Sequence, residues 1–213
     1  MKINNQKIFP LILIAISISL GLHLYKFMPP LMASHWNFWG QVDGYMPKFW
    51  ALFLMPFISS VLYFFFLFLP GIDPYKKNFE EFAHYYHMFI NIVFSFLFYV
   101  YILTLVWNIG EPFNMGMALA PAFSILWMYA AILMQNTKQN WFVGIRTPWT
   151  LSNKKVWEET HMLGSKLFSY AGLIAFFGFI FPKYALLLIL FPIIIFSVYL
   201  FVFSYLRYKI HNR

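Results

Sequence analysis

Residues 49–72 read FWALFLMPFISSVLYFFFLFLPGI, from Phe49 to Ile72, without one charged side chain. A helix of that length reaches about 36 Å at 1.5 Å per residue, enough to cross the ~30 Å hydrocarbon core of a bilayer. Working outward, five further apolar windows stand at 8–25 (interrupted only by His23), 88–110, 112–137, 167–182 and 184–206. The fifth holds only 16 residues, but Lys166 and Lys183 at its flanks can snorkel and lengthen it. Lys2 and Lys7 followed by an apolar run resemble a signal peptide. No A-x-A-like cleavage site follows, so the first window is read as a retained helix. The sequence therefore predicts an all-α, polytopic membrane protein with six transmembrane helices.

Composition agrees. Of 213 residues, 62% are hydrophobic, 23% aromatic and 10% charged, and there is no cysteine. A soluble domain carries about 25% charged residues. The apolar content excludes disorder, and the missing cysteines exclude disulfide, thiol and Cys-ligated metal chemistry. The net charge of +8 could point to nucleic acid. Its distribution points elsewhere. With the N-terminus inside, twelve Lys and Arg fall on inner segments and three (Lys26, Lys48, Lys183) on outer ones. That is a positive-inside pattern, so both termini are expected in the cytoplasm, and no nucleic-acid partner is expected. The chain divides into a two-helix unit, 1–75, with a Trp-rich outer loop at 26–48, and a four-helix unit, 76–213, with an inner loop at 135–165. The two are expected to form one membrane domain.

The outer loop begins where Pro29-Pro30 stop the first helix. Asp43-Gly44 is a turn signal. Between them His35, Asn37 and Trp39 would share one face of an extended segment, with Trp36 and Phe38 on the other. This loop is either a lid resting in the headgroups or a surface that contacts a peptide or lipid head. A metal site from His35, Asp43, His23 and Glu111 has no supporting spacing.

In the inner loop, Ser152 or Asn153 can cap a short helix that places Trp157, Thr160, His161 and Gly164 on one face. Lys154 and Lys155 are suited to anionic lipid. Arg146 stands between Gly144 and Pro148, so its backbone is tightly held. It can bind a carboxylate or phosphate bidentately, or tie the loop to helix ends or to Glu158.

A third group is Glu80, His84, His87, Asn91 and Ser95, spaced 4, 3, 4 and 4 along one helical face. Polar side chains at membrane depth face the bundle interior and are functional candidates. Packing hydrogen bonds, a ligand-lined cavity and a metal site are the competing readings. Glu80, His84 and His87 could ligate zinc, but the order E-x-x-x-H-x-x-H lacks the general base of H-E-x-x-H. No cofactor, metal or catalytic residue is expected.

The run Asn140-Trp-Phe-Val-Gly144-Ile-Arg146-Thr147-Pro148-Trp149-Thr150-Leu, followed by Val-Trp157-x-x-Thr160-His161, resembles the signature of SdpI-type immunity proteins. These are bacterial membrane proteins named for protection against a secreted, membrane-active peptide toxin. The outer loop, through His35, Asn37, Gly40, Asp43, Gly44 and Lys48, resembles an uncharacterised N-terminal domain often found ahead of that signature. The resemblance implies a multi-pass protein of the cell membrane with a role in immunity or stress response. On that reading the outer loop would contact a peptide toxin or a lipid it needs, and the basic inner loop around Arg146 and Trp157 would hold the bundle or bind a cytosolic regulator. The alternative is a metal-dependent membrane enzyme or small-solute transporter built on Glu80, His84, His87 and His161. An enzyme is the less expected outcome.

Overall fold

The computed structural model describes residues 5–212. Lys2 and Arg213, two of the twelve inner cations, lie outside them. The order is α1 (Asn5–Leu24), β1 (Leu31–Trp36), β2 (Val42–Pro47), α2 (Lys48–Ile72), α3 (Lys76–Glu81), α4 (Ala83–Ile109), α5 (Met115–Asn136), α6 (Pro148–Ser152), α7 (Lys154–Ile180) and α8 (Ala185–His211). Helices α1, α2, α4, α5, α7 and α8 are each long and apolar enough to cross a membrane. They coincide with the six windows, because only a helix satisfies every backbone polar group within its own segment in lipid.

The molecule differs from an all-α reading in one place. β1 and β2 form an antiparallel hairpin. The fifth span differs in length: Asn153 caps α7, accepting from the backbone N–H of Lys155 (2.9 Å) and Val156 (3.2 Å), and the helix continues unbroken to Ile180. The expected short loop helix and the short fifth span are thus one helix of 27 residues. It is roughly 40 Å long, about 10 Å more than the hydrocarbon core of a bilayer is thick.

α7 is the central element of the C-terminal half, packed between α5 and α8, while α1, α2 and α4 form a second group joined to it through α4 and α5. Small residues make the α7 contacts close. A Cβ at Gly172 would lie 2.7 Å from Met128 Cγ and 2.9 Å from the Ser124 carbonyl; one at Gly178 would lie 3.0 Å from Ala120 Cβ. Such proximity is how membrane helices gain packing energy without a hydrophobic driving force between them.

Cross-links show which helix ends share a face. Tyr63 donates to the Lys7 carbonyl (3.1 Å), Asn78 to the Gln139 carbonyl (2.8 Å), and Arg207 and His211 both reach Glu159. The start of α1, the end of α2, the start of α4, the α5–α7 connection and the end of α8 therefore meet at one end. The hairpin and the α4–α5 and α7–α8 connections lie at the other.

Gly172→Val should lower the thermal midpoint of the purified protein, at an overpacking cost of about 1–3 kcal/mol. Gly71→Ala, where an added Cβ meets nothing within 4 Å, should not, as differential scanning fluorimetry can check.

Candidate functional site

Two regions carry the residues singled out in the sequence. At the hairpin end, the turn spans 37–41 and not Asp43-Gly44. The Asn37 carboxamide oxygen accepts from the N–H groups of Trp39 (2.9 Å) and Gln41 (3.0 Å), closing an Asx turn. Gly40 takes φ 77°, a left-handed conformation natural to glycine. Asp43 and Gly44 lie inside β2 instead. Gly44 faces His35, where a Cβ would come within 2.9 Å of the His35 Cβ. The expected grouping of His35, Asn37 and Trp39 on one strand face fails for the same reason, since β1 ends at Trp36.

The hairpin is fixed to the bundle by two asparagines that the sequence reading passed over. Asn108 of α4 accepts from the Ala33 N–H (2.8 Å) and donates to the Ala33 carbonyl (3.0 Å), closing β1 at that residue as a third strand would. Asn114 caps α5 by accepting from Met117 N–H (2.9 Å) and donates to the Trp39 carbonyl (3.3 Å). Trp36 lies edge-on to Trp107, at a 5.9 Å centroid distance. What remains exposed is a face with His35, Asp43 and Tyr45, and a tip with Phe38 and Trp39. His35 Nδ1 and Asp43 are 2.5 Å apart. Lys48 is turned inward to the Tyr25 carbonyl (3.0 Å) and over the Tyr25 ring.

At the opposite end the inner motif folds into a knot around Asn140, which is fully buried. Its Oδ1 accepts from the N–H groups of Phe142 (2.9 Å) and Val143 (2.7 Å). Its Nδ2 donates to the carbonyls of Lys138 (2.8 Å) and Val143 (2.9 Å). Asp73, 1% exposed, reaches in from the end of α2: Oδ1 accepts from Tyr75 N–H (2.7 Å) and Oδ2 from Trp141 N–H (3.0 Å). Gly144 has φ 111°, and a Cβ there would overlap the His161 ring. That ring is committed on both sides. Nε2 accepts from Ile145 N–H (2.9 Å), which leaves Nδ1 to donate to the Trp157 carbonyl (2.8 Å). Trp157 stacks on His161 at 3.9 Å and donates through Nε1 to the Thr137 carbonyl (3.3 Å). Thr147 and Thr150 form a capping box around Pro148 at the start of α6, and Thr147 also meets Ser204 of α8 (3.0 Å). Trp149 packs on Phe201 and Tyr205. Thr160 is fully buried in α7, and its hydroxyl has no hydrogen-bond partner among the described residues.

Arg146 is exposed and donates to the Trp141 carbonyl (3.0 Å). No carboxylate pairs with it among the described residues, so the expected tie to Glu158 is absent. The partnered acid is Glu159, held bidentately by Arg207 (2.5 and 2.8 Å) and by His211 (3.0 Å).

Glu80 is cut off from the polar stripe, while His84, His87, Asn91 and Ser95 keep their helical spacing on α4. Phe82, at φ −115° and ψ 13°, breaks the helix between Glu80 in α3 and His84 in α4. Glu80 and His84 are exposed, His87 is half-buried, and the Asn91 Oδ1 is buried without a hydrogen-bond partner. The cluster of Glu80, His84, His87 and His161 does not assemble either. His161 is spent on backbone groups, and no three His, Asp or Glu side chains converge among the described residues.

Against known proteins, residues 136–205 match the SdpI/YfhL protein family, and residues 12–59 match a domain of unknown function, DUF1648. The chain is 24% identical to the immunity protein SdpI of Bacillus subtilis (strain 168) over 206 residues, which is 96% of this chain and 97% of that protein. No solved structure matches.

Asp73→Ala would leave the Tyr75 and Trp141 N–H groups unpaired, at about 1–3 kcal/mol each. Hydrogen–deuterium exchange across 137–147 should then accelerate, while exchange in the hairpin stays unchanged. The hairpin ahead of the knot follows the order of the two matches: this is a multi-pass membrane protein whose residues 12–59 are similar to DUF1648 and whose residues 136–205 are similar to the SdpI/YfhL protein family.

Proposed function

We propose that the protein protects its cell against a secreted, membrane-active peptide toxin, and that the hairpin is the surface that meets the toxin. The observation that carries the reading is the end-to-end similarity to a protein named for immunity, spanning 96% of the chain. The geometry supports the choice of surface. The residues on the exposed face of the hairpin, His35, Asp43 and Tyr45, and those at its tip, Phe38 and Trp39, combine a hydrogen-bonded His–Asp pair with aromatic rings. An amphipathic peptide at the bilayer surface offers the complementary pattern, with the rings sitting at headgroup level. Asn108 and Asn114 hold this face rigid, so little ordering cost falls on binding.

The proposed orientation puts the hairpin outside and both termini in the cytoplasm, following the positive-inside distribution. The knot then faces the cytosol. Beside it a cavity of about 620 Å³ is lined by Lys138, Lys154 and Lys166, by Glu81 and Glu158, and by Trp157. Its basic rim supports a signalling role through an acidic cytosolic regulator. The knot itself is assigned to holding the bundle, because its polar groups are consumed internally.

Expression in a strain sensitive to a secreted peptide toxin should raise the survival of challenged cells. Trp39→Ala with Tyr45→Ala should remove most of that protection at unchanged membrane abundance, read by immunoblot. If survival is unchanged with intact protein across a panel of such toxins, the immunity reading fails. If the double variant protects fully, the hairpin is not the contact surface.

A further inference from the structure

A second cavity, of about 370 Å³, lies between α2, α4, α5 and α7 at the end that carries the knot. Its walls include Phe66, Leu69, Phe89, Leu133 and Phe168, and Arg146 stands in its lining from the loop above. The size is that of a small-molecule site.

Its polarity is graded along α5. Trp127, in the wall, is nine residues before the α5 end at Asn136, about 14 Å from it along the helix at 1.5 Å per residue. Arg146 lies beyond that end, at the level of the knot. A cation at the interface above an apolar chamber that descends toward the bilayer centre is the complement of a lipid with an anionic head and an acyl tail. Basic pockets between membrane helices bind anionic headgroups on this principle.

The guanidinium is equipped for it. One N–H is used on the Trp141 carbonyl, no carboxylate neutralises it among the described residues, and four donors remain. The bond to the Trp141 carbonyl orients the guanidinium, and its planar fork can meet a phosphate bidentately.

We propose that this cavity binds one anionic phospholipid, with its phosphate on Arg146 and an acyl chain among the α2, α4, α5 and α7 side chains. The lipid would seal the side of the bundle where α2 approaches α5. The inference rests on the cavity and not on toxin protection.

The test uses the full chain, purified in detergent and mixed with equimolar phosphatidylglycerol and phosphatidylcholine, with bound lipid counted by native mass spectrometry. One phosphatidylglycerol per protein should be retained, at least tenfold over phosphatidylcholine. Arg146→Gln should bring that preference to within about twofold. Ala130→Phe, which fills the chamber, should remove the retained lipid. The exposed position of Arg146 makes Arg146→Gln tolerable to the fold, and an unchanged thermal midpoint checks it. Equal retention of both lipids by the unmodified protein overturns the headgroup assignment. An unchanged preference in Arg146→Gln, or retention by folded Ala130→Phe, overturns the site.

Discussion

Buried non-helical backbone must find hydrogen-bond partners within the protein, because no water reaches it. The connection between α5 and α7 meets that constraint with three buried side chains. Asn140 closes the turn on itself, Asp73 brings in the end of α2, and His161 brings in α7. A buried carboxylate with two N–H donors and a neutral imidazole bonded at both nitrogens are stable there because each is fully used. The position of α5 against α7, the basic cavity beside the loop and the apolar chamber beneath it all follow from this one closed network.

The same network divides the labour between the two ends. Asn140, Thr147 and His161 spend their polar groups within the loop and the helices around it, and Gly144 leaves the space that the His161 ring fills. Chemistry or recognition needs groups that remain available, and those are found elsewhere. Arg146 and the lysines sit around the knot, and the His35–Asp43 pair and aromatic tip sit on the hairpin. Glu159, clasped by Arg207 and His211, ties the last turns of α8 to the first turns of α7 and is structural in the same sense.

The spans were legible in the sequence because the bilayer sets a length and forbids charge within it. Windows such as 49–72 need no knowledge of their neighbours. The buried helix face of Trp157, Thr160, His161 and Gly164 was legible from spacing alone. The hairpin was not. Asp43-Gly44 is the stronger local turn signal, but Asn37 and Gly40 form the turn, and Gly44 is required by its cross-strand neighbour His35. Spacing also failed at Phe82, where a helix break separates Glu80 from His84 with no proline or glycine to announce it. Asp73 was missed although a signal existed: it is a lone acid, followed by proline, at the end of an apolar span, and its partner Trp141 is distant in sequence.

The chain has no cysteine, so single substitutions give a clean map of sidedness. Gln41→Cys marks the hairpin turn and Ser152→Cys marks the exposed residue beside the knot. With a membrane-impermeant maleimide, Gln41→Cys should label in intact cells and Ser152→Cys only after permeabilisation. The reverse pattern, or labelling of both in intact cells, would contradict an outward recognition face carried on an inward structural knot.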